Sequence, residues 1–242
     1  MTLRVLDNVV LFGADTARSR AYLGFLLNAG LRPAFCVLLV PPNPSRSEPV
    51  PTDIFDNQSP LAHQVADAGI PAKEVVSGDV NSAAAVAALN ACPQGLVVFS
   101  GPAGSLVKAP LFATGKTFLH VHPGKVPQYR GSTTMYYSLL AEERIWVSAL
   151  VLDPRIDQGP VVDVMEAEVP ADRSQLDQIY DPVIRARLMV RVLRHYHERG
   201  RLDAVAQQAG EERTYFVIHP VLKHIAIQSR AAEPKEAPID SD

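Results

Sequence analysis

The sequence predicts an α/β protein built on an open, Rossmann-like, mostly parallel sheet flanked by helices, with a C-terminal helical extension. Residues 8–12, after the opening Asn8, and residues 34–40 are apolar throughout rather than alternating, the pattern of parallel strands covered on both faces. Such runs alternate with stretches of helical spacing, the order in which parallel α/β sheets are wound. Glycine- and proline-rich loops follow the strand candidates, and in open α/β sheets ligands bind outside the carboxyl ends of the strands.

Taken in order, residues 8–12 form the first strand, 13–18 a loop, and 19–28 a helix closed by Gly30. The second strand is 34–40. Residues 41–60, rich in Pro, Ser and Asn, are a long irregular excursion. A helix at 61–68, a short strand at 74–76 and a helix at 83–90, capped by Asn81 or Ser82, come next. Residues 95–100 are another buried strand, and the loop 101–104 leads to a short helix near 106–112. The strand beginning at Thr117 carries His120 and His122. Residues 132–143 fit a helix; 146–152 and 161–169 fit a strand pair whose connection holds Asp157. Beyond Pro170 the pattern changes. Residues 172–199 read as one long helical stretch with Pro182 near an N-terminal turn or break, 214–219 as β-prone, and 222–227 as a short helix or strand. The expected domains are a main domain at 1–200, an extension at 201–228 packed on it, and a polar tail at 229–242 that is disordered.

Composition narrows the function. The 242 residues are 47% apolar, enough for a substantial core, and the formal charge of −3 provides no basic field for nucleic acid. No apolar run approaches the ~20 residues of a membrane span, and the first residues lack a signal-peptide pattern, so the expected location is the cytoplasm. The two cysteines, Cys36 and Cys92, read as unpaired thiols of a reducing compartment.

The chemistry gathers at the loops. Residues two apart in a strand share a face, so His120 and His122 project together where their strand leaves the core. Asp157 lies 35 positions beyond His122. If the strands are neighbours, two imidazoles and a carboxylate meet at one sheet edge. Imidazole titrates near neutral pH, and a nearby carboxylate stabilises its cation. The loop from Gly13 to Ser19 is placed to hold a substrate phosphate or carboxylate at a helix N-terminus, although it has neither G-x-G-x-x-G nor a P-loop. Lys125 is a cation for an anionic substrate or a solvated loop charge. Arg130 is a substrate contact or, with Tyr129, a loop anchor.

The segment His122-Pro-Gly-Lys-Val-Pro-Gln-Tyr-Arg-Gly131 resembles the Asn-x-His-Pro-Ser-Leu-Leu-Pro-x-Tyr-Arg-Gly segment of formyl-tetrahydrofolate-dependent formyltransferases. Arg155-Ile-Asp157-Gln-Gly159-Pro-Val-Val162 resembles their Asp-x-Gly-Pro-Ile segment. Order and spacing agree, and the resemblance covers residues 8 to about 195. It implies the formyltransferase fold, formyl-tetrahydrofolate as formyl donor, and a primary amine of a small metabolite as acceptor: an amino sugar, an amino acid derivative or a natural-product intermediate. In that family an Asn, a His and an Asp surround the formyl group. The Asn and the protonated His stabilise the oxyanion that forms as the amine attacks, while the Asp orients the His and helps move the amine's proton. Carried over, His122 takes the histidine's place and Asp157 the aspartate's. Ala103, Gly104 and Leu106, with Leu152, Asp153 and Ile156, resemble the walls that hold the pterin. The chain departs from the pattern at the asparagine, which is His120, at the serine after His-Pro, which is Gly124, and at the following leucine, which is Lys125.

Three rival readings stand beside formyl transfer. Water in place of the amine makes a hydrolase. Loss of the asparagine points to a catalytically silent folate- or nucleotide-binding or scaffold protein. His120, His122 and Asp157 also resemble a facial triad for a metal ion, which makes a metal-dependent hydrolase. The C-terminal region lacks the strand-rich appendage of the tRNA-modifying relatives, which favours a small acceptor. It packs on the core or on a second subunit, so a homodimer is the oligomeric expectation.

Overall fold

The structure, a computed structural model, describes residues 3–43, 49–208 and 213–229. The chain forms β1 (Arg4–Ala14), α1 (Ala17–Asn28), β2 (Leu31–Val40), α2 (Leu61–Asp67), β3 (Ala72–Val76), α3 (Ala83–Ala91), β4 (Leu96–Ser100), α4 (Ala109–Phe112) and β5 (Thr117–His122). There follow β6 (Arg130–Gly131), α5 (Thr134–Glu142), β7 (Ile145–Val151), β8 (Val161–Ala167), α6 (Asp181–Arg199), β9 (Thr214–Tyr215) and α7 (Pro220–Gln228). Seven strands make one sheet in the order β3-β2-β1-β4-β5-β7-β8. It is parallel from β3 to β5, and β7 and β8 are antiparallel to their neighbours. The strand order reverses between β1 and β4, the place where such sheets open a crevice at their carboxyl ends.

The unbroken apolar runs are explained by this layering. Val9 and Leu11 face one core with Leu23 of α1, Val98, Leu119, Val121 and Leu188 of α6. Val10 and Phe12 face the other with Leu89 of α3, Val97, Phe99, Leu111 of α4 and Phe118. A strand covered on both sides has no position left for a polar residue. Thr16 caps α1 by accepting the Ser19 N–H, and Gly200, at φ 72°, closes α6.

Several elements differ from expectation. β1 begins at Arg4 because its N–H donates to Gly30 O at 2.8 Å, extending the pairing with β2. The stretch 172–199 is not one helix. A π-helical turn at Leu176–Tyr180 precedes α6, and Pro182 in the first turn of α6 has no N–H to continue a ladder from before it. Of the β-prone stretch 214–219, Thr214–Tyr215 alone is strand, pairing parallel with Arg130–Gly131, and His219 caps α7. Residues 44–48 of the long excursion, and the expected tail beyond Ser229, lie outside the described residues. Among the described residues no helix is long and apolar enough to cross a membrane, and Cys36 and Cys92 are buried unpaired thiols.

Candidate active site

β5 ends between β4 and β7, with Val98 opposite Leu119 and Ser148 opposite His122. The β7–β8 connection leaves beside the start of β5, where the Leu152 N–H donates to Phe118 O at 2.8 Å. By Asp157 it has run back along the strand to His122: Asp157 Oδ2 is 3.3 Å from His122 Nδ1. Asp157 sits at φ 52°, a left-handed conformation that aspartate adopts more readily than most residues. Its Oδ2 also accepts the Gly131 N–H at 2.9 Å.

His122 is 2% exposed. Its Nε2 lies 2.7 Å from Tyr129 O and 3.3 Å from Thr134 Oγ1. Gly124 makes this enclosure possible, since a Cβ there would lie 2.7 Å from Tyr129 O and 2.8 Å from His122 Nε2. The ring therefore has a carbonyl oxygen against one nitrogen and a carboxylate against the other, and only its protonated form supplies a proton to both. Burial pulls the imidazole below its ordinary range, while Asp157 and the Tyr129 carbonyl act in the opposite sense. His122 is thus held inward at both nitrogens.

His120 is half-buried, with Nδ1 3.5 Å from Phe99 O. Burial, reinforced by Arg18, Arg185 and His122, holds it well below the usual imidazole range, so it is neutral near pH 7. A carbonyl oxygen accepts only, so the tautomer that satisfies this contact carries its proton on Nδ1 and a lone pair on Nε2. Among the described residues Nε2 has no hydrogen-bond partner.

Two arginines that the motif reading missed stand beside the histidines. Arg185 of α6, 7% exposed, donates through Nη1 to Val121 O, the carbonyl between the two histidines, at 3.0 Å, and through Nε to Asp181 Oδ1 at 2.8 Å. Arg18 of α1 donates to Ser100 Oγ at 3.1 Å and to Gly101 O. The available signal for Arg185 was a charged residue at an inward position of an amphipathic helix, four after an aspartate. Gln207 was also missed. It joins the Asp157 connection to Arg130 by donating to Asp157 O and Gly159 O and accepting from the guanidinium.

The remaining candidates divide. Ala103, Gly104 and Leu106 lie exposed on the loop after β4, and Leu106 is 48% exposed. Ile156 is 45% exposed on the β7–β8 connection, Leu152 packs against the core that contains Phe118, and Asp153 is occupied by Arg155. Gly13 is a packing position: a Cβ there would be 3.0 Å from Ser100 O and 3.1 Å from Ser19 Oγ. Lys125 is exposed with Nζ 5.4 Å from the Trp146 ring centre. Arg130, offered as a substrate contact or a loop anchor, is 3% exposed, and its guanidinium donates to Gln207 at 3.1 and 2.6 Å. No group of three or more His, Cys, Asp or Glu among the described residues is arranged to hold a metal ion. A cavity of about 620 Å³ lined by Glu143, Arg173 and Ile227 shares no residue with the histidine site.

No family model matches the chain. A methionyl-tRNA formyltransferase of Chloroflexus aurantiacus is 34% identical over 89 residues, 36% of this chain and 28% of that protein. Another, of Clavibacter sepedonicus, is 30% identical over 125 residues, 51% of this chain and 39% of that one. The chain thus spans 28% to 39% of the length of these curated relatives. Among solved structures, glycinamide ribonucleotide transformylase 1 of Symbiobacterium toebii matches with a TM-score of 0.59 at 15% identity, covering 85% of this chain and 95% of that one. A 4-N formyltransferase of Francisella tularensis gives 0.58 at 16% identity, covering 91% and 86%. A sugar N-formyltransferase of a Shewanella species gives 0.55 at 15%, covering 90% and 86%. The chain has the fold of these formyltransferases.

Proposed function

We propose that the protein is a formyltransferase that moves the formyl group of formyl-tetrahydrofolate to a primary amine of a small metabolite. The observation that carries this reading is the His122–Asp157 contact, made by the two segments that resemble the family's and set at the carboxyl end of β5 in a formyltransferase fold. The loops fit such a donor. Leu106 and Ile156 are apolar yet about half exposed, and a flat heterocycle laid on them removes apolar surface from water. The structure of a sugar N-formyltransferase with this fold supports an amino sugar as acceptor, and the acidic charge balance supports a small acceptor over tRNA.

The residues divide the work as follows. The attacking amine sheds a proton as its nitrogen bonds to the formyl carbon, and the formyl oxygen gains negative charge. Neutral His120, with its Nε2 lone pair, accepts that proton and, as the tetrahedral adduct collapses and the formyl carbon–nitrogen bond of the donor breaks, passes it to the departing nitrogen, so that N-formyl product and tetrahydrofolate result. The charge on the oxygen is met by the positive field of Arg18 and Arg185, and of His122 when it takes its second proton. Asp157 fixes the His122 ring and favours that cation. His120 thereby acts as a proton acceptor where an asparagine amide would act as a donor.

The test is to incubate the protein with formyl-tetrahydrofolate and a panel of amino sugars and amino acid derivatives, following N-formyl product by mass spectrometry. His122→Ala and Asp157→Ala are expected to lower turnover about 10²- to 10⁴-fold with circular dichroism unchanged. Wild-type turnover in both variants would remove the pair from the chemistry. Free formate produced without an acceptor would identify a hydrolase instead.

A further inference from the structure

We propose that Gln207, on the strap running from α6 to β9, is a positioning residue for the His122–Asp157 pair, so that the C-terminal extension completes the site. The kinetic consequence rests on the formyltransferase reading; the structural one does not.

His122 and Asp157 both lean on the backbone of one loop, His122 through Tyr129 O and Asp157 through the Gly131 N–H. Asp157 belongs to a different segment, the β7–β8 connection, and the two must stay in register for the imidazole and carboxylate to meet. Gln207 ties them together. Its Nε2 donates to Asp157 O and Gly159 O, both at 2.8 Å. Its Oε1 accepts from Nε and Nη2 of Arg130, the residue between Tyr129 and Gly131, at 3.1 and 2.6 Å. Both amide donors and both acceptor positions of one side chain are used, which also settles which way the amide points.

The strap is pinned on either side of Gln207. Val205 and Val161 exchange N–H···O bonds of 2.8 Å, and Thr214–Tyr215 pairs with Arg130–Gly131. The carbonyl that Gln207 holds belongs to Asp157 itself, whose φ of 52° is a conformation sustained by its surroundings. Orientation of a catalytic group decays steeply with displacement: about 1 Å costs about 100-fold in rate.

The test uses Gln207→Ala and Gln207→Glu in the full chain. Gln207→Glu keeps the size and the acceptor for Arg130 but turns an oxygen toward Asp157 O and Gly159 O. The readouts are the thermal midpoint, the pH titration of the His122 ring by NMR, assigned by its loss in His122→Ala, and kcat and KM. Both variants are expected to fold. The His122 titration moves to lower pH, because the carboxylate favouring its cation is no longer held on Nδ1. kcat falls about 10- to 100-fold with KM within about threefold, and Gln207→Glu does not rescue. In a protein that transfers formyl, either readout remaining at the wild-type value overturns the proposal, as does rescue by Gln207→Glu. If wild type transfers no formyl, the reaction assigned above falls, and the NMR titration alone decides the role of Gln207. Should Gln207→Ala fail to fold, Gln207→Glu carries the same readouts.

Discussion

The interior of the sheet around β1 and the end of β5 that carries the histidines are held by different forces. In the first, Val9, Val10, Leu11 and Phe12 of β1 are all essentially buried between two apolar layers. Around the end of β5 the contacts are polar. Arg185 holds Val121 O. Ser148 donates to Gly124 O at 2.6 Å and accepts from Val126 N at 3.3 Å. Gly131 holds Asp157, and Gln207 holds the connection. Apolar burial is non-directional, while hydrogen bonds weaken steeply off axis. Apolar burial supplies stability without fixing angles, and the polar contacts at the end of β5 fix angles.

The most forceful way to break this division is Phe12→Ala. The ring is fully buried and packs against Phe99 at 5.9 Å, so the deletion is expected to cost about 3–5 kcal/mol, read from urea unfolding. Formyl transfer per folded molecule should stay within about twofold of wild type. A parallel collapse of kcat in the folded fraction would show that the two regions are mechanically one.

Gly131→Ala probes the other side with a smaller loss of stability. Gly131 sits at φ 101°, and a Cβ there would lie 2.1 Å from Tyr215 O, so the strap must part from the loop. The strain is expected to cost about 1–3 kcal/mol, less than Phe12→Ala, yet to lower kcat about 100-fold through displaced catalytic groups. Hydrogen exchange at the Ser132 N–H, which donates to Tyr215 O at 2.8 Å, reports whether the pairing has opened. Retained protection and retained kcat together would contradict this.

The same contrast explains what was legible in the sequence. The strands around Val10, Val37 and Val98 announce themselves because double burial demands an unbroken apolar run. The approach of Asp157 to His122 was legible from two segments in the right order. The enclosure of His122 was not, because it depends on a Tyr129 carbonyl brought in by the path of a loop and admitted by the missing Cβ of Gly124. Gln207 carried no signal at all, since one amide in a polar stretch has no periodicity. The enclosure of Arg130 was illegible for the same reason: its partner, Gln207, lies 77 positions away.

The smallest expected effect sharpens the comparison at His120. Burial and its cationic neighbours hold it well below the ordinary imidazole range, and His122 is shifted the same way. Below about pH 6.5 the unfolded chain takes up protons that these folded histidines refuse, so the unfolded state binds more protons and stability rises with pH. This contribution is complete above pH 6.5 and shrinks as pH falls toward the folded values. His120→Asn removes one of the two histidines without introducing a charge. Urea midpoints measured from pH 7.5 down to pH 5 should therefore decline less steeply in His120→Asn than in wild type. Identical slopes would mean that the folded protein admits a proton at His120 as readily as the unfolded chain does, against the downward shift that burial and its cationic neighbours impose.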